Sequence, residues 1–525
     1  MKDSSRYRWL YLAVVVLFAP ALLINLGLLT FIDDEAIRSL VALEMKLSGN
    51  LITPTLHGAY YYNKPPLYNW ILLAWFELNG QINELYARIP TVLALLAYCG
   101  TIFYYFRRHL SVEDAVLVAL VFLTCGRILF WDSMLGLIDI TFSWVIFTLF
   151  MVIYHAFERR AWWSLYLLSY LLMAVGFMLK GLPAIVFQGT TLLAYFIYRR
   201  SFRQLFRWEH LVGGALFLAL IGSYYYAYHQ YNDLQVVFET LFTESSKRTV
   251  VNYGWTNTVV HFFTFPFEMV YHFLPWSLLI LYYLRRDIRD LVQRHQFVSF
   301  LLLCFLANIL VYWLSVEVYP RYLLMHAPLI FGTYIYLHRI HQEERSWQYI
   351  LIDRLLFFLC LLISIGSLAP LFLERTREVP YLYVKCLPIS LGLMGLTWLY
   401  QCWREQRLLI VAVFLLLFRV GFNYFVLPDR NANDFGDLCR QSSIATAQQF
   451  ADSDMYVYRE TVMQITNSFY LTNTKGEIIP IASDRFPKDA VYIIDPKMYP
   501  DLEYEKVGSF RLRHGKIIYH IGKLK

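Results

Sequence analysis

Apolar runs follow one another along most of the 525-residue chain, separated by short basic or aromatic stretches. Most reach the roughly 20 residues that cross a bilayer. The pattern predicts about thirteen spans, near residues 9–30, 85–106, 114–130, 138–156, 164–180, 182–198, 210–228, 270–284, 297–315, 322–338, 349–372, 383–402 and 407–426. After Pro428 the pattern changes to an ordinary polar mixture. It predicts a helix over Leu438 to Phe450, short strands at MYVY and AVYIID, and a hairpin FRLRHGKIIYHIG turning at His514 and Gly515. The expected architecture is a polytopic α-helical transmembrane domain over 1–428 and a small soluble α/β domain over 429–525. No cleavage site of small residues follows the first run, which therefore reads as a retained span rather than a signal peptide.

Composition agrees with the pattern: 58% of residues are hydrophobic and 16% charged, against about 45–50% and about 25% in soluble domains. A secreted, cytosolic or fibrous protein is excluded. The net charge is +7, but no basic stripe with interleaved aromatics lies outside the apolar runs, so nucleic acid is not an expected partner. The seven cysteines include no CxxC and, except Cys439, lie in or beside apolar runs. They read as small core residues rather than a disulfide framework or zinc knuckle. HEXXH is absent, and the closest histidine pair, His338 and His341, falls on the cytoplasmic side as loop surface.

Charge in the connections assigns the sides. Arg107 and Arg108, Arg159 and Arg160, the arginines from 199 to 207, those from 285 to 294, Arg339 with Arg345, and Arg404 with Arg407 all fall in alternate connections. Cytoplasmic loops are the basic ones, so the N-terminus is expected inside. An odd number of spans then places the tail outside, in the periplasm of a bacterium. Two outer segments are long, 31–84 and 229–271, and both mix apolar faces with charge as helices in the interface plane do.

These outer regions hold the candidate chemistry. Asp33, Asp34 and Glu35 crowd together before a helical pattern, where they suit either helix capping or proton abstraction by a partly desolvated carboxylate. Lys64 is stiffened by Pro65 and Pro66, or simply snorkels to the headgroups. Asp139 opens a span, and Lys180 lies at an outer turn. Glu244 and Arg248 are spaced to pair on a helix, and Arg321 and Tyr322 start a span in the aromatic belt. Each has an ordinary structural explanation alone. Together, on one side of the membrane, four cations beside two carboxylates suit an anionic lipid headgroup.

The stretch DDEAIRSLVALEMKLSGNLITPTLHGAYYYNKPPLYNW resembles the opening outer loop of the membrane-embedded C-type glycosyltransferases that use polyprenyl-phosphate sugars. That group includes lipid A aminoarabinose transferases and relatives of protein O-mannosyltransferases. The matching positions are Asp34 with Glu35, Ser48 with Gly49, Pro54, Gly58, and Lys64 with Pro65 and Pro66, and the likeness extends over roughly the first 340 residues. It implies that Asp34 is the catalytic acid/base, with Asp139 and Glu35 as further catalytic carboxylates. It implies that Lys64, Arg248, Lys180, Tyr322 and Arg321 bind the donor phosphate, with Glu244 and Tyr62 on the acceptor side. Asn63 departs from the pattern, in which many members carry Glu before the lysine, and the tail matches none of the family's motifs.

The implied reaction transfers a sugar from a polyprenyl-phosphate donor to a periplasmic lipid, glycan or protein acceptor with inversion. No nucleotide is expected, since neither a P-loop nor GxGxxG opening a helix is found. No cofactor is required; a divalent metal is compatible with the chemistry but not demanded by it. The competing class is a lipid or sugar flippase or secondary transporter, whose ionisable residues should mark a path near the midplane rather than one boundary.

Overall fold

A computed structural model of the chain describes residues 7–32, 34–246, 250–316, 318–433, 435–512 and 517–525. In hydrocarbon every backbone N–H and C=O must be satisfied within the segment, so apolar runs of this length become helices. Among the described residues eight helices are long and apolar enough to cross a membrane: Glu84–Phe106, Ile138–Glu158, Trp162–Lys180, Trp208–His229, Gln296–Trp313, Trp347–Leu371, Leu382–Cys402 and Arg404–Asn433. A ninth is added if Val112–Thr124 and Gly126–Met134, bent by 45° at their junction, are one span. Arg8–Leu23 and Pro183–Tyr198 are apolar but shorter.

The expected count of thirteen is thus supported only in coarser form, for two physical reasons. The run at 270–284 is divided between the end of the helix Val250–His272 and a 3₁₀ helix, Trp276–Tyr283. Eight residues of 3₁₀ helix rise only about 16 Å. The run near 322–338 begins as a second 3₁₀ turn, Pro320–Leu323, and its helix, Ala327–Glu344, ends in a charged turn. At the other end, the helix Arg407–Asn433 runs on through Pro428, past the point where composition changes.

The first outer segment folds as two helices joined by a tight hairpin. Glu35–Ser48 is amphipathic and ends at Gly49, whose φ of +70° forms a left-handed C-cap. Strands β1 (Thr55–Leu56) and β2 (Ala59–Tyr60) pair antiparallel around His57 and Gly58, both with positive φ, as a two-residue hairpin turn requires. The buried carboxylate of Glu44 holds this hairpin, accepting from Thr55 Oγ1 at 2.8 Å, His57 N at 2.7 Å and Gly58 N at 3.1 Å. Pro65 and Pro66 then lead into the helix Leu67–Asn79.

One buried ion pair fixes this segment to the bundle. Arg88 grips Glu35 with Nη2 at 2.7 Å and Nε at 3.1 Å. The same guanidinium donates to the carbonyls of Leu26, Leu29 and Thr30. Glu35 also accepts from Ile32 N and Gly136 N. Glycine is needed at 136, because a Cβ there would lie 2.7 Å from the Ala87 carbonyl oxygen.

The C-terminal domain is a five-stranded sheet ordered β4-β3-β5-β7-β6, built from β3 (Met455–Tyr458), β4 (Ile481–Ala482), β5 (Val491–Ile494), β6 (Tyr504–Arg511) and β7 (Ile518–Leu524). β3 is parallel to β4 and β5, while β7 is antiparallel to β5 and β6. The helices Phe435–Gln449 and Ile465–Lys475 complete it. The expected helix and strands lie where the pattern put them, and the expected hairpin pairs as β6 and β7; its turn at His514 and Gly515 lies outside the described residues. The domain docks onto the outer face of the bundle. Tyr470 Oη and Arg440 Nη1 donate to Glu84 at 2.5 and 3.0 Å, Asn473 Nδ2 donates to the Ile82 carbonyl, and the His57 Nδ1 position meets the Ile479 carbonyl at 3.1 Å.

Two outcomes follow from these anchors. Arg88→Met leaves the Glu35 carboxylate buried without its partner, which typically costs about 3–5 kcal/mol. Lys46→Ala, at the exposed Lys46–Glu77 pair, changes stability by at most about 1 kcal/mol; chemical denaturation in detergent separates the two. Burial lowers the pKa of His57 from its ordinary 6.5, outweighing the opposing effects of the Ile479 carbonyl and Glu44. The folded state therefore favours neutral imidazole, and this stabilisation is complete above pH 6.5 and is lost as pH falls below it. Amide exchange at 55–60 and 478–482 should rise between pH 7.5 and 5, after correction for intrinsic rates, and His57→Leu should abolish that rise.

Candidate active site

Asp34 occupies the N-cap position of Glu35–Ser48, yet its side chain makes no capping hydrogen bond. Its Oδ2 instead accepts from Arg321 Nη2 at 3.1 Å, and the carboxylate remains 50% exposed. Arg321 is itself buried in the 3₁₀ turn Pro320–Leu323, where the rings of Tyr319 and Tyr322 lie 4.8 and 5.6 Å from its guanidinium carbon. Its Nε lies 3.6 Å from Asp139 Oδ2. Asp139, in the first turn of Ile138–Glu158, takes Lys180 on its other oxygen at 2.5 Å.

Lys180 is the last residue of Trp162–Lys180, and the chain turns away at Gly181, whose φ of +81° and ψ of −143° suit glycine alone. Its ammonium nitrogen sits 3.8 Å from the centre of the Tyr322 ring, close enough for a cation–π contact. Asp34, Arg321, Asp139 and Lys180 therefore form one unbroken series of opposite charges drawn from four separate elements. Tyr322 is stacked at its end.

The Lys180 end of this series borders a cleft of about 1070 Å³, counting its open mouth, lined by Asn63, Lys64, Lys180, Glu244, Tyr312 and Tyr322 among others. Lys64, Lys180, Tyr322 and Glu244 are thus brought to one place from positions spread over more than 250 residues. Tyr62 lies beside them in a smaller cavity with Lys64, its hydroxyl accepting from Asn232 Nδ2 at 3.0 Å. Arg248 lies outside the described residues. Glu35 is turned away from the series: wholly buried, it takes two Arg88 donors and two backbone N–H groups.

Among the buried charges that escaped the reading of motifs are Arg88, Arg38 and Asp132. Arg88 anchors Glu35. Arg38, one turn beyond Asp34, donates from Nη2 to Tyr61 Oη at 2.6 Å, while its Nη1 is buried without a hydrogen-bond partner. Asp132, almost fully buried, is held by both Nε and Nη2 of Arg127. All lie in or beside largely apolar stretches, and that rarity was the available signal. Among the described residues no group of three or more His, Cys, Asp or Glu is placed to hold a metal ion.

The arrangement sets the Lys64 and Lys180 ammonium groups with Tyr312 and Tyr322 along a cleft, and links Lys180 through Asp139 and Arg321 to the half-exposed Asp34 carboxylate. Such a site binds an anion and accepts a proton beside it.

The overall fold is also found in solved structures. ArnT from Cupriavidus metallidurans, in a crystal structure bound to undecaprenyl phosphate, superposes with a TM-score of 0.71 at 19% identity over 98% of both chains. The apo form gives 0.68 at 19% identity, over 99% of this chain and 98% of that one. The chain has the ArnT fold. The match includes the outer domain, so the ArnT fold extends over nearly the whole length. A family model described as dolichyl-phosphate-mannose-protein mannosyltransferase matches residues 63–226. An uncharacterized protein of Aquifex aeolicus (strain VF5) is 23% identical over 304 residues, 57% of this chain and 58% of that protein. The undecaprenyl phosphate-alpha-4-amino-4-deoxy-L-arabinose arabinosyl transferase of Edwardsiella ictaluri (strain 93-146) is 29% identical over 204 residues, 38% of this chain and 36% of that one. The matched regions thus span from about a third to just under six-tenths of these curated relatives.

The difference in exposure within the ArnT fold can be read chemically. A water-soluble carbodiimide with an amine nucleophile should modify Asp34 in the folded protein and spare Glu35 and Asp139, as peptide mass spectrometry resolves. Modification of Glu35 ahead of Asp34 contradicts the placement of the two carboxylates.

Proposed function

We propose that the protein is an integral-membrane glycosyltransferase that moves a sugar from a polyprenyl-phosphate-linked donor to a lipid, glycan or protein acceptor on the periplasmic side, with inversion. The observation that carries this reading is the series Asp34–Arg321–Asp139–Lys180 running into the cleft lined by Lys64 and Tyr322. The crystal structure of a protein of the same fold is bound to undecaprenyl phosphate, which supports a lipid phosphate as the anion this wall receives.

In this reading the donor's phosphate lies against Lys64, Lys180, Arg321 and Tyr322, with Arg248 contributing from the second outer segment. The acceptor oxygen forms a bond to the anomeric carbon while the bond from that carbon to the phosphate oxygen breaks. The acceptor proton passes to Asp34, and the electron pair leaves with polyprenyl phosphate. Arg321 fixes where the Asp34 carboxylate points, and Asp139 braces Lys180 and Arg321. Glu35 is given the anchoring role, since its oxygens already accept four donors. Glu244 and Tyr62 border the space left for the acceptor.

Growing negative charge on the departing phosphate is stabilised by donors already in place, which need no reorganisation as the reaction proceeds. The finer topology belongs to the same proposal. It has about thirteen crossings in a bacterial inner membrane, counting the shorter helices and the broken segments, with the N-terminus cytoplasmic and the 429–525 domain periplasmic.

Transfer from a synthetic polyprenyl-phosphate sugar, measured in detergent without an ion gradient, tests the reading. Wild-type protein should support chemistry, Asp34→Asn should abolish it, and Lys64→Ala should slow it by about 10² to 10³, equivalent to about 2.7–4 kcal/mol. Unaltered rates in folded samples of both variants remove the assigned roles, and gradient-dependent movement of intact donor would instead assign a transporter.

A further inference from the structure

We propose that the C-terminal domain positions the backbone that carries Asp34, with Phe469 and Tyr470 as its positioning residues. The proposal rests on the transferase reading above and gives the domain a place in it.

Among its described residues, the chain between the helices Arg8–Leu23 and Glu35–Ser48 has no long regular element. It therefore lacks a hydrogen-bond ladder of its own, and its geometry is imposed from two sides. From within the bundle, Arg88 holds the carbonyls of Leu26, Leu29 and Thr30 and the carboxylate of Glu35. From outside, the helix Ile465–Lys475 closes on Phe31. That ring is wholly buried, meets Phe469 edge-on at 4.7 Å, and lies nearly parallel to Tyr470 at 6.3 Å. The Arg88 guanidinium carbon is 6.0 Å from the same ring. Phe31 is thus clasped between a cation of the bundle and two aromatic residues of the domain, three residues before Asp34.

The domain also reaches the other half of this clasp. Tyr470 Oη and Arg440 Nη1 both donate to Glu84. Glu84 opens the helix Glu84–Phe106 one turn before Arg88, so the two side chains share a face. A single helix of the domain therefore fixes Phe31 directly and the base of Arg88 through Glu84. Lys180 and Tyr322, which line the cleft, are positioned by other elements, Trp162–Lys180 and Pro320–Leu323. The domain's grip should accordingly act on how Asp34 meets the acceptor and not on how tightly lipid phosphate is held. A displacement of about 1 Å at a reacting centre can cost about 10²-fold in rate.

The experiment uses the full chain in detergent, with Phe469→Ala, Phe469→Leu and Tyr470→Phe. Three quantities are read: amide exchange across 26–38, binding of undecaprenyl phosphate, and the transfer rate at saturating donor. Phe469→Ala should raise exchange across 26–38 at least tenfold and lower kcat about 10²-fold, with undecaprenyl phosphate affinity within twofold of wild type. Phe469→Leu, which restores bulk, should recover most of the rate. Tyr470→Phe keeps the ring and removes the hydroxyl's bonds to Glu84 and to the Phe31 backbone, so it serves if Phe469→Ala does not fold; a several-fold loss in kcat is expected.

Exchange and kcat both within twofold of wild type in Phe469→Ala overturn the proposal, as does a rise in acceptor KM with kcat and exchange unaltered, which makes the domain a binding surface instead. Absence of transfer by the wild-type protein defeats the transferase reading, while the exchange measurement still decides whether the domain orders residues 26–38.

Discussion

A guanidinium buried among apolar helices is costly unless its charge and its donors are engaged, and Arg88 engages all of them by gathering the chain around itself. Its ion pair with Glu35 and its bonds to three carbonyls force residues 26–35 into a single path over the outer end of the bundle. The cost of burying both charges is recovered only while this geometry holds. Through Glu35 the same pair meets the Gly136 backbone N–H, and Glu35 begins the helix whose N-cap is Asp34.

The charges beyond it are organised by a different logic. Asp34, Arg321, Asp139 and Lys180 are linked, but the series is left open to solvent at Asp34 and to the cleft at the tyrosine-backed cation. A closed ion pair such as Arg88–Glu35 is a structural fastening. An open series, with one carboxylate half in solvent, keeps its field directed outward and retains capacity for a ligand. The chain thus places two acid–base groupings within one residue of each other, one closed and buried at Glu35 and one reaching solvent at Asp34.

Much of this was legible in the sequence where physics acts locally. Apolar run length gave the helices Glu84–Phe106, Ile138–Glu158 and Trp347–Leu371, because a lipid environment leaves the backbone few alternatives. The short runs of β-branched and aromatic residues in MYVY and AVYIID marked strands β3 and β5. Run length was less informative at 270–284, where a run long enough to span is broken between two helix types, and at 322–338, where a 3₁₀ turn precedes the helix. Hydropathy averages over such breaks. The roles of Arg38, Arg127 and Asp132 were hidden for another reason: each depends on a neighbour that the amino-acid order does not announce.

What the chain's order decided alone was the membrane class, the positions of most helices, the side on which basic loops gather, and the short list of outer-face acids and bases. These follow from free energies that accumulate residue by residue along one segment. Only the tertiary structure separated Asp34 from Glu35. Adjacent residues on a helix point about 100° apart, so one turns toward solvent and Arg321 while the other turns into the bundle and Arg88. Which of them does so is determined by partners 287 and 53 residues away. No local property of the sequence contains that distance.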